Sequence, residues 1–133
     1  MRHRVTRTFL GLSGALAAAI GASVLFFPHS FFATNHILLG SDPNLLSEIR
    51  APGGLLLAAG AIMIVGAMLK SLLRSALFAA AIVFSMYGVS RFVSIALDGV
   101  PSSSIIGALV IELVIGMIAS LLTARFAPTR SDS

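Results

Sequence analysis

Apolar residues in this chain come in four long blocks broken by short polar joints, unlike the one-sided stripe of a helix lying half in water. The blocks cover about residues 8–27, 52–69, 75–97 and 104–124. A bilayer core of roughly 30 Å takes about 20 apolar residues of helix, so each block is long enough to cross it. Only KSLLR, Lys70 to Arg74, separates the second block from the third, and DGVPSS joins the third to the fourth. Both connections are too short for anything but antiparallel neighbours. Residues 28–51 form the one long connection. Within it, Asp42-Pro43 combines an N-cap residue with proline at the first helical position, where the missing N–H removes no hydrogen bond. A helix is therefore expected to start at Pro43 and run through NLLSEIR. Proline disfavours helical geometry in the residue before it, so Pro52 predicts a kink or a break at Ala51. Phe31, Phe32, Ile37, Leu38 and Leu39 are apolar enough to dip into the membrane interface, but a partly buried re-entry loop is the expected reading.

Composition strengthens this picture. Hydrophobic residues make up 57% of the 133 and charged residues only 11%, against about 25% charged in a soluble domain. The expectation is one all-α domain over residues 1–133, an integral membrane four-helix bundle in contact with the lipid bilayer. The chain has no cysteine, which removes disulfides and thiolate metal sites. Its net charge of +4 does not point to nucleic acid, because the basic residues sit singly or in threes beside apolar blocks with no aromatic interleaving. They read as topology signals instead. Lys and Arg accumulate in cytoplasmic loops. With four spans, one side of the membrane holds Arg2, Arg4, Arg7, Lys70, Arg74, Arg125 and Arg130, and the other holds only Arg50. The expected protein is multi-pass in the cell membrane with both termini cytoplasmic. Basic residues before the first block and Ala17-Ala18-Ala19 also resemble a cleavable signal peptide. Its apolar core, however, exceeds the ~7 to 15 residues of such segments, and a retained span is expected.

Apolar surface does not drive helices together in lipid, so close contact between small residues has to. The first block offers two frames, Gly11, Ala15, Ala19 and Gly14, Ala18, Ala22. The second offers Gly54 and Ala58, with Gly66 further on, and the fourth offers Ala108, Gly116 and Ser120 with Glu112 between them. Gly14, Ala18, Gly54, Ala58 and Gly116 are the expected packing positions.

Charge inside the third and fourth blocks is the candidate chemistry. Tyr87, Arg91, Ser94 and Asp98 are spaced four, three and four apart, which puts them on one helix face. Helix rise sets Arg91 about 9 Å and Glu112 about 10 Å inside the outer ends of their spans. A charge near mid-membrane costs ~2.5 to 3.5 kcal/mol on the insertion scale and normally faces the bundle with a partner. Arg91 with Glu112 is the expected pair, and Asp98 with Arg50, or with helix-capping Ser102 and Ser104, the next layer outward. Glu48, Asp98 and Glu112 against Arg50 and Arg91 leave one negative charge in excess. This polar seam is either a small-molecule or proton site opening outward or a clasp that fixes helix register. His29 and His36 share the long connection with Asp42, but two loop histidines without a third ligand do not make a metal site. Met63, Met68 and Met86 are expected to pack or to face lipid. No phosphate loop, nucleophile elbow or paired-cysteine motif is present, so no catalytic residue, metal or cofactor is assigned.

Three segments, EIRAPGG at Glu48 to Gly54, SRFVSIALDGVP at Ser90 to Pro101, and the intramembrane Glu112-Leu113, together resemble a bacterial family of small four-span membrane proteins, domain of unknown function 4345. The likeness runs from about Pro28 to Leu122 and rests on order and spacing. It implies a four-helix membrane bundle and no particular reaction. The position before the paired glycines, often aromatic in that family, is Pro52 here. A looser similarity to sterol-type isomerases and ligand-binding proteins rests on architecture alone. The expected function is non-catalytic, as an accessory subunit of a membrane complex or a bundle that binds lipid or another small ligand. Partner membrane subunits or a homo-oligomer fit such a role, and nucleic acid does not. The alternative is a membrane enzyme or proton-coupled carrier that uses Glu112 beside Arg91.

Overall fold

The computed structural model describes residues 2–126, so Arg130 lies outside the described residues. Among those residues every regular element is helical: α1 (Arg2–Phe26), α2 (Pro28–Ala33), α3 (Pro43–Met68), α4 (Leu73–Asp98) and α5 (Ser103–Arg125), with a 3₁₀ turn at Lys70–Leu72. α1, α3, α4 and α5 each have the length and apolar character of a membrane span. The protein is an all-helical, four-span bundle.

Asp42 caps α3 as its sequence predicts, its Oδ1 accepting from the Leu45 N–H at 2.9 Å with Pro43 in the first turn. The expected break at Ala51 does not occur, because α3 runs unbroken through Pro52. A proline inside a helix removes the bond to the carbonyl four residues back, here that of Glu48, and crowds that carbonyl, which membrane helices tolerate where neighbours support the chain. The Arg50 guanidinium supplies such support by donating to the Leu25 carbonyl at the end of α1. Residues 28–51 are therefore not an extended loop, since they hold α2 and the first turns of α3.

The bundle consists of two helix pairs. α1 packs along the length of α3, α4 packs along α5, and the pairs join mainly through α3 and α4. Contact between α1 and α5 is slight. In the first pair the backbones nearly touch. A methyl on Gly14 would lie 2.8 Å from the Met63 Cβ, and one on Gly60 would lie 2.5 Å from the Ala18 nitrogen. Gly21 meets the Leu57 backbone and the Gly53 carbonyl in the same way. The stripe on α3 is thus Gly53, Gly60 and Met63. Gly54 has open space before it and Ala58 is exposed, which corrects their expected packing role. Gly54 is adjacent to Gly53, and one residue turns a helix by about 100°, so the wrong glycine puts the stripe on the wrong face. In the second pair, Gly116 lies against Ser85 and Gly88 against Leu113.

The dense core occupies one half of the bundle. Leu10, Met63 and Leu77 are fully buried there, with Leu73, Ala76 and Ala80 around them. That end also gathers the basic residues. Arg7 donates through Nε to the Ala67 carbonyl (2.5 Å) and through Nη2 to the Met68 carbonyl (3.0 Å), closing carbonyls that the end of α3 leaves unpaired. His3 and Phe126 meet there with ring centroids 5.2 Å apart. In the other half, burial ends at Gly88 on α4 and begins only at Gly53 on α3. The two pairs part there.

Candidate functional site: a cavity between the helix pairs

Where the pairs separate they enclose a cavity of about 460 Å³, with walls from α1, α3, α4, α5 and the α2 segment. Most of the wall is apolar. Leu16, Ile20 and Val24 contribute from α1, Phe31 and Phe32 from α2, Leu56 from α3, Phe84 from α4, and Ala108 and Ile111 from α5. The polar exceptions are Asn35, Glu48, Tyr87, Arg91 and Glu112.

Arg91 and Glu112 form a two-pronged ion pair on this wall. Nε donates to Oε2 at 2.7 Å and Nη2 to Oε1 at 2.9 Å. The α4/α5 hairpin sets the register, with Gly88 opposite Leu109 and Leu113, so residues 91 and 112 stand at one height. The side chains are 30% and 13% exposed, and both line the cavity. A planar guanidinium fork matches a carboxylate in this geometry, and each charge satisfies the other away from bulk water.

The rest of the seam does not assemble as a unit. Tyr87 is half-buried and lines the cavity one turn deeper than Arg91, and its hydroxyl makes no hydrogen bond to protein among the described residues. Ser94 and Asp98 share the face but are exposed, Ser94 Oγ donating to Asp98 Oδ2 at 3.1 Å within the helix. The expected outer layer therefore does not form. Arg50 is turned to Leu25, and neither serine caps α5 with its side chain, Ser102 and Ser104 hydrogen-bonding to each other at 3.0 Å. Spacing correctly places four residues on a face, but it cannot show that the facing helices fan apart before Ser94. Glu48 is exposed at the cavity mouth with no ion pair or hydrogen bond among the described residues.

Asn35 is the residue that sequence reasoning missed. Its Oδ1 accepts from Ser104 Oγ at 2.9 Å, which ties the α2 segment to the start of α5 across the mouth. The one available signal was an amide set between the apolar Phe31-Phe32 and Ile37-Leu38 pairs. His29 reaches the Gly40 carbonyl at 3.3 Å, and His36 is exposed. Among the described residues no three metal-ligating side chains come together. Met63 is a core residue, while Met68 and Met86 lie on the exposed apolar surface.

Comparison with curated proteins and with solved structures returns no match. The model of the domain of unknown function DUF4345 matches residues 5–123, nearly the whole chain and wider than the resemblance of the three short segments, and the chain belongs to that family.

Proposed function

We propose that this protein binds a small apolar or amphiphilic molecule in the cavity between the α1/α3 and α4/α5 pairs. One observation carries the reading. A space of about 460 Å³, walled by apolar side chains with a few convergent polar groups, falls within the ~300 to 1,000 Å³ of small-molecule sites and shares their character. Of the two roles expected from sequence, ligand binding uses this space and an accessory-subunit role has no need of it. The carrier or enzyme alternative requires Glu112 to release both bonds to Arg91 in every cycle, whereas the two-pronged geometry favours a fixed wall.

The same reading suggests a route of entry. Leu16 on α1 and Ile111 on α5 flank the cavity and are both exposed, where these helices barely touch. An apolar ligand would pass between them from the bilayer. The cluster of Arg4, Arg7, Lys70, Arg74 and Arg125 at the opposite end supports a cytoplasmic placement of that end by the positive-inside bias, with the cavity mouth on the far side.

Native mass spectrometry of protein purified in mild detergent tests the proposal. Wild type is expected to carry an adduct of defined mass. Ala108→Phe, which projects a ring into the cavity, loses it, and Gly107→Phe, whose site faces open space, keeps it. A bare wild-type mass, with no amphiphile raising its unfolding temperature, refutes the reading.

A further inference from the structure

We infer that the cavity takes an amphiphile with a neutral or cationic, hydrogen-bonding head group and rejects anionic ones, with the Glu48 carboxylate at the mouth as the head-group contact. This rests on the ligand-binding reading above and adds the chemical class of the ligand.

The cations at this end are all otherwise engaged or turned away. Among the described residues they are His29, His36, Arg50 and Arg91. Arg91 is matched by Glu112 through two bonds. Arg50 donates to the Leu25 carbonyl and does not line the cavity. His29 contacts the Gly40 carbonyl, His36 is exposed, and neither reaches the wall. No cation is left for a fatty-acid carboxylate or a phosphate. On the acidic side Glu112 is matched, and Asp98 accepts from Ser94 away from the wall. Among the described residues Glu48, at the mouth, has no ion pair or hydrogen bond. The charges on the wall are thus Arg91 against Glu48 and Glu112, one negative charge in excess.

Depth completes the match. Along α3, Glu48 lies about 12 Å above Leu56 by helix rise, and both line the cavity. A chain-like molecule placed head-outward would set its polar end beside Glu48 and its tail among Leu56, Phe84 and Ile20. The Tyr87 hydroxyl, which makes no hydrogen bond to protein among the described residues, offers a second hydrogen bond partway down. An anionic head would meet an uncompensated carboxylate at close range, and like charges repel.

The test uses the full chain in phosphatidylcholine nanodiscs and three probes of equal tail length: dodecylamine, dodecanol and dodecanoate. The amine is expected to bind roughly ten-fold more tightly than the alcohol and the carboxylate to bind weakest, the order set by one fixed negative charge. Glu48→Gln brings amine and alcohol to within about two-fold of each other. Asp98→Asn, which removes the same charge outside the cavity, preserves the preference. Carboxylate binding equal to or tighter than amine binding overturns the inference, as does an unchanged preference in Glu48→Gln. Failure of all three probes to bind overturns the ligand-binding reading itself.

Discussion

The α1/α3 pair and the α4/α5 pair face the same task, holding two apolar rods together in lipid, and use different chemistry. In the first pair, Gly14, Gly21, Gly53 and Gly60 let the backbones close to near contact, so dispersion is gathered along the seam, and charge enters only at its two ends, where Arg7 and Arg50 donate to backbone carbonyls across the pair. In the second pair close approach is confined to Gly88 and Gly116, and the Arg91–Glu112 fork supplies a directional link at one height. The glycine seam tolerates no added atoms. The ionic link tolerates space beside it, and both of its residues line the cavity between the pairs.

The largest expected effect comes from the glycine seam. Gly60→Val forces branched carbons against the Gly14 carbonyl and the Ala18 backbone, neither of which can turn aside. About 3 kcal/mol of destabilisation is expected, at the upper end of overpacking costs. Size-exclusion chromatography should show loss of the monodisperse species.

Breaking the ionic link comes next. Glu112→Gln leaves the Arg91 guanidinium without a counter-charge, and a loss of about 2 kcal/mol is expected, below the ~3 to 5 of fully buried pairs because both groups keep some exposure. The double variant Arg91→Met with Glu112→Leu should recover most of the thermal stability, since an apolar replacement removes both desolvation penalties. A double variant no more stable than Glu112→Gln would mean that the pair does more than satisfy itself.

At the basic end, Arg7→Met removes two hydrogen bonds to the last carbonyls of α3. A loss of about 1 to 2 kcal/mol follows, read as faster hydrogen exchange near Met68. The smallest effect sharpens the comparison. Gly54→Ala meets nothing within 4 Å, whereas a methyl on adjacent Gly53 would lie 2.8 Å from Val24. Gly54→Ala should therefore be neutral or stabilising by up to about 1 kcal/mol, and Gly53→Ala destabilising, when the two are compared by thermal melting.

How far the sequence carried depends on which of its signals are local. The four spans, the Asp42 cap and the start of α3 at Pro43 were legible because block length and capping chemistry act within a few residues. Arg91 and Glu112 could be paired because a short hairpin fixes the register of α4 and α5. The course of α3 through Pro52 was not legible, since what steadies it is an arginine reaching a carbonyl on another helix. The packing frame failed for a related reason. Gly53 and Gly54 are equivalent until α1 selects a face, and spacing four pointed to Gly54 and Ala58 where spacing seven, from Gly53 to Gly60, is used. The cavity itself left no mark in the sequence, because its walls are the same Leu, Ile and Phe that would fill a solid core.

The account stands or falls on that cavity being open to a ligand, and the chain carries its own probe. Tyr87 is the sole tyrosine, there is no tryptophan, and the tyrosine lines the cavity wall. Its fluorescence, followed in lipid vesicles titrated with a neutral amphiphile brominated along its tail, should be quenched along a saturating curve, and Ala108→Phe should abolish the saturable part. Quenching that rises in proportion to the amphiphile's share of the bilayer, unchanged in Ala108→Phe, would place Tyr87 against bulk lipid and contradict the account.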